Sequence, residues 1–154
     1  MKVTPDEKDV LARMGAGALS RDGFLGSDAR ALDEIISDDR AAVASLGLTQ
    51  ERIAAGMEKV LRAAMAAQGA PAKVGDDLTA VHVEARGRIA CPWGGCGLFD
   101  KGEVRLTDER SGRTIIFTPL SIHLVARHAF HQGRGARFHV EPAELAKIMG
   151  RLNG

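Results

Sequence analysis

Both cysteines and three of the five histidines of this chain fall between Cys91 and His131, and thiols and imidazoles are the side chains that bind zinc-like ions. The segment opens on Cys91-Pro92-Trp93-Gly94-Gly95-Cys96 and closes with His123, His128 and His131 spaced along Leu120–His131. A tetrahedral Cys2His2 site takes two thiolates from a turn and two imidazoles from a following helix, because its ligands must converge from two elements. Pro92, Gly94 and Gly95 permit the tight reversal that turns two sulfurs toward one point.

At about 100° per residue, His123, His131 and His128 fall near 0°, 80° and 140° on a helical wheel, on one side with Leu120 and Leu124. The expected ligands are Cys91, Cys96, His123 and His128, with His131 as the alternate to His128. Residues 97–122 form a longer middle spacer than the usual run of about 12–15 residues, enough for an extra hairpin. A structural zinc would use four protein ligands. A catalytic one would leave a position open, with Glu84 or Asp100 as general base. Without a metal, the cysteines serve as small buried hydrophobes and the histidines sit at the negative end of a helix dipole.

Other patterns carry less. His82-Val83-Glu84 ahead of Cys91-Pro92 departs from the zinc deaminase arrangement H-x-E…P-C-x-x-C in cysteine spacing and in the placement of proline. The C-x4-C spacing also differs from the C-x-x-C of thioredoxin-like redox proteins. Leu46–Ala54 starts like a helix-turn-helix, but Gly56–Met65 continues the same helix where a turn and a recognition helix are required. Arg86-Gly87-Arg88 and the loop bearing Arg134, Arg137 and His139 could meet an anion or a nucleic-acid backbone, although solvated loop charge is the better account of them.

The elements that must position these residues follow from periodicity. A Gly-interrupted helix is expected over 6–19, and a second from Ser27 as N-cap to Gly47, with Leu32, Ile35, Ile36, Val43 and Leu46 on one stripe. A third starts at Thr49 and repeats apolar residues every three or four positions from Ile53 to Met65. The Pro-, Gly- and Asp-rich run at 70–77 reads as a boundary. From Leu78 the period is two, predicting a strand to about Ala90 with Val81, Val83 and Ala85 opposite His82, Glu84 and Arg86. Strands over 101–107 and 113–118 flank a hairpin loop at Gly112. Thr118 and Pro119 start a helix running to His131, and a short helix is expected over 142–152.

Together these give a single α+β domain over 1–154: a helical part over about 1–70, and a sheet with further helices over about 78–154. An N-terminal helical hairpin packs on a small antiparallel sheet, followed by the His-bearing helix and a short C-terminal helix. A chain of 154 residues can bury a core without a metal or disulfides. The net charge of +1 does not announce a nucleic-acid or membrane partner. No apolar run is long enough to span a bilayer, and the first residues lack a signal peptide's apolar core, so a cytoplasmic protein with free thiols is expected.

Gly-Phe-Leu-Gly-Ser-Asp (23–28), Leu46–Ala54, Cys-Pro-Trp-Gly (91–94), Leu-Ser-Ile-His-Leu (120–124) and Phe130–Pro142 resemble segments of a family of roughly 150-residue uncharacterised bacterial proteins. The resemblance spans residues 22–152 and implies no activity. It implies that Cys91, His123 and His128 lie in the family's recognisable segments. It gives Cys96 no matching residue, so His131, His139 or Asp100 stays open as fourth ligand.

The function expected is a non-catalytic, zinc-stabilised binding or regulatory protein whose partner meets the loop after His131. A metal-dependent, hydrolase-like enzyme is the alternative. Met- and Ala-rich helix faces also allow a homo-oligomer.

Overall fold

The computed structural model describes residues 5–153; residues 1–4 and 154 of the expected domain span lie outside the described residues. Its central helix is α3 (Gln50–Ala66), where the Thr49 side chain accepts the Arg52 N–H and so satisfies one of the unpaired amides of the first turn. Ile53, Ala54, Met57, Val60, Leu61 and Ala64 are buried along one stripe. That stripe lies on a four-stranded antiparallel sheet of β1 (Ala72–Gly75), β2 (Leu78–Val83), β5 (Glu103–Asp108) and β6 (Arg113–Phe117), in the order β1-β2-β5-β6.

Register places Ala80 opposite Leu106, Leu106 opposite Ile115, and Val104 opposite Phe117, so these side chains share the face that α3 covers. Leu78, Val104, Leu106 and Phe117 are fully buried there. Burying one such side chain contributes about 1.5–3 kcal/mol, which makes this layer the main store of stability. The alternation expected in β2 is present, but with the opposite face inward: Leu78 and Ala80 are buried while Val81 and Val83 are only half-buried. Helix α3 lies over the Leu78–Ala80 face, and that contact decides which side of the strand is core.

The single strand expected to reach Ala90 is two strands. After β2 the chain turns through Arg86–Gly87 into β3 (Arg88–Ala90), which pairs with β4 (Leu98–Asp100) in a separate hairpin, Ile89 opposite Phe99. A further strand, β1, forms within the run read as a boundary.

Helix α4 (Pro119–His128) follows β6, and α5 (Pro142–Met149) packs on α3 and on α2 (Leu32–Ser45). Gly56 in α3 allows the close approach to α5, since a Cβ there would overlap Met149 Sδ. The chain end is pinned to β1 by Asn153 N–H donating to the Val74 carbonyl at 2.9 Å.

Helix α2 begins at Leu32 rather than beside Ser27. Asp28 is engaged by Arg30 at 2.6 Å and by the Arg134 N–H at 3.0 Å, holding 28–30 outside the helix. The first helix, α1 (Pro5–Met14), stops before the glycines at 15 and 17.

Two buried clusters result among the described residues. The larger joins the sheet to α3 and α5. The smaller gathers Val10 and Met14 of α1, Phe24, Ile35, Cys91, Leu120, Leu124 and Phe130. Helix α4 serves both, giving Ile122 and Val125 to the first and Leu120 and Leu124 to the second.

Candidate metal centre

Cys91 and Cys96 lie in the turn between β3 and β4. The Gly94 N–H donates to the Cys91 carbonyl at 2.9 Å, and Gly94 and Gly95 sit at φ +80° and +69°, where a Cβ is disfavoured. This double left-handed step brings Cys96 back toward Cys91. Arg13 of α1 donates to the Pro92 carbonyl and ties the turn to the N-terminal helix.

The imidazoles come from α4. Thr118 and Ser121 form a reciprocal capping box at its start: Thr118 Oγ1 accepts the Ser121 N–H at 3.2 Å, and Ser121 Oγ accepts the Thr118 N–H at 3.0 Å. Pro119 occupies the first turn. Leu120, Leu124 and Val125 are buried, which fixes the rotation of the helix and leaves His123 and His128 half-buried beside the β3–β4 hairpin.

One ligand atom from each of Cys91, Cys96, His123 and His128 lies within 4.8 Å of the others. His128 Nε2 is 3.5 Å from Cys91 Sγ and 4.0 Å from Cys96 Sγ. A tetrahedral zinc with bonds of about 2.0–2.3 Å sets its donors about 3.3–3.8 Å apart, so the cluster is close to the size of an ion's coordination shell. His123 Nε2 is buried and has no hydrogen-bond partner among the described residues.

Aromatic rings hold both imidazoles. Trp93 stacks on His128, and Phe99 lies against His123 with centroids 4.6 Å apart. Burial holds both imidazoles below the usual histidine range, favouring the neutral, ligating form. Burial likewise pushes the Cys91 thiol up to about 11. A dication would reverse that preference, because a coordinating thiol is deprotonated.

His131 does not join this group. Helix α4 ends at His128 and Ala129 turns through φ +51°, so the chain leaves the helix before His131. The His131 ring is fully buried elsewhere, its Nε2 2.8 Å from Gln50 Oε1, and its main-chain N–H donates to Asp39 Oδ2 at 3.1 Å. The rotation expected for a helix through 131 fails because the chain leaves the helix at Ala129, a left-handed stop that no glycine marks.

His139 pairs with the Gln132 carbonyl and Glu141, at 3.0 and 3.4 Å. Asp100 faces Arg88 at 3.5 Å, and Glu84 is exposed; neither carboxylate belongs to the cluster. Arg137 is paired with Glu103 at 3.0 Å, while the main chain of Arg134 is bound by Ser27 and Asp28. The structure adds Trp93, Phe99 and Arg13 as supports that were not anticipated. Trp93 inside the cysteine turn was the one available signal.

Among the described residues, no helix is long and apolar enough to cross a membrane. The chain matches no family model, no curated protein and no solved structure.

Proposed function

We propose that Cys91, Cys96, His123 and His128 hold one zinc ion in a closed site, and that the protein is a non-catalytic binding or regulatory protein whose β3–β4 hairpin is clamped to α4 by that ion. The observation that supports this best is the convergence of two thiols and two imidazoles from separate elements, with the buried His123 Nε2 otherwise unpartnered. Four protein donors fill a tetrahedral ion, so the hydrolase alternative lacks the open position it needs. The thiols are free, which suits a cytoplasmic setting.

The surface offered to a partner is the loop after His131 that carries Arg134 and Arg137. That loop presents two arginines, one of them sharing Glu103 with Arg105, too few cations for the counterion release that contact with a nucleic-acid backbone requires. We also propose membership of the uncharacterised bacterial family whose segments the chain resembles.

The test is metal analysis of protein purified without chelator. About one zinc per chain is expected, lost in Cys91→Ser and His123→Ala. Metal-free protein would sink the proposal, and a spectroscopic count of three protein ligands plus water would restore the enzyme.

A further inference from the structure

The chain leaving α4 enters the left-handed region a second time at Gln132, with φ +67°. A residue with a side chain adopts this conformation uncommonly. Here it sets Gln132, 3% exposed, in the wall of a cavity of about 220 Å³ whose other walls include Phe24, Ile89, Leu120 and Phe138. The Gln132 carbonyl of the main chain accepts from His139 at 3.0 Å, and its side chain contributes to the cavity wall. A side-chain amide in the lining of an otherwise apolar space is a specific recognition group.

The edge of the cavity is cationic. Arg21, Lys101 and Arg137 contribute to its lining against one carboxylate, Asp22. Arg137 gives one nitrogen to Glu103, which Arg105 also engages at 3.0 Å, so two guanidiniums share one carboxylate and positive charge remains. The side chain of Lys101 has no ion pair among the described residues.

Apolar walls, an amide in the lining and a basic edge match a small organic acid. The volume exceeds the roughly 150 Å³ at which an apolar cavity admits a benzene ring, and so suits a benzoate or a short branched-chain acid. A guanidinium fork suits a planar carboxylate. A phosphate would want several free amides at a helix start, but at α4 Pro119 has none to offer and the Thr118 side chain already engages the Ser121 N–H.

We propose that this cavity binds a small organic monocarboxylate, with its hydrocarbon body among Phe24, Ile89, Leu120 and Phe138 and its carboxylate held by Arg137, Lys101 and the Gln132 amide. The site is separate from the cysteine–histidine cluster and does not depend on the zinc proposal.

The test follows the backbone and side-chain amide resonances of the full chain while benzoate or isovalerate is added, with benzamide and inorganic phosphate as parallel arms. Saturable shifts at the Gln132 side-chain amide and at Phe138 are expected, with affinity at least about tenfold weaker in Lys101→Met and Arg137→Met and zinc content unchanged. Lys101 is exposed, so its variant carries the test if replacing Arg137 disturbs the fold. No saturable shift up to about 50 mM acid would overturn the proposal. So would benzamide binding as tightly as benzoate, phosphate alone saturating the site, or shifts confined to other parts of the protein.

Discussion

The indole of Trp93 lies flat on the imidazole of His128, with ring centroids 4.0 Å apart and planes 6° from parallel. Trp93 also meets Phe130 edge-on at 5.6 Å, so the ring that orients a candidate ligand is itself wedged into the smaller core.

Trp93 is the sole tryptophan, and its emission therefore reports on the surroundings of this one ring. Removing zinc with a chelator is expected to change that emission in the native chain and not in His128→Ala. Trp93→Ala should weaken zinc binding about 10- to 100-fold, as loss of a supporting group does at other metal sites. Competition with a chromophoric chelator measures it, and unchanged affinity would show that the stack does not orient His128.

Asp39 and His131 should give the protein opposing pH dependences. Burial raises the Asp39 carboxyl to about 6, so the stability it contributes is complete below its unfolded value near 3.8 and is lost as pH rises through 6. Burial lowers His131 to about 4, so its contribution is complete above 6.5 and is lost as pH falls through 4. Asp39→Asn is therefore expected to gain about 1–3 kcal/mol of stability from pH 4 to 6.5, and His131→Gln to lose a similar amount. Urea unfolding across that range would refute the pairing if both variants kept the native slope.

Gly56→Leu should cost about 1–3 kcal/mol, because the added side chain meets Met149 where α3 and α5 touch. Combining it with Met149→Ala should recover part of the loss. Additive losses in thermal melts would locate the strain somewhere else.

Thr118→Ala removes one half of the capping box at the start of α4 and should cost about 0.5–2 kcal/mol by chemical denaturation. Ser121→Ala removes the reciprocal bond, and the double variant should cost less than the sum of the two.

What the sequence disclosed and what it hid have physical explanations. Thr49 and Thr118 announced their helices because a capping side chain acts over three residues. The cysteine and histidine positions were legible because their side chains are rare and their spacing places them on a turn and a helix face. The inward face of β2 was not, since Leu78–Ala80 and Val81–Val83 are both apolar enough and only the placement of α3 chooses between them. The strand at Ala72–Gly75 is short and irregular, slipping register between Lys73 and Gly75, and it exists through its pairing with β2. The end of α4 was hidden for a different reason: Ala129 takes a left-handed conformation that glycine or asparagine would have advertised. That one residue sends His131 to Gln50 instead of to the cysteines.

The two hydrophobic clusters that share α4 imply two units of local opening. Amides of β2, β5 and β6 should exchange with deuterium only through global unfolding. Those of α1 and the β3–β4 hairpin belong to the smaller unit, to which Arg13 and the cysteine turn attach them. Stripping a bound ion should hasten exchange there first while leaving the sheet slow, so the N-terminal helix would become the earliest point of proteolytic entry although it supplies none of the four donors.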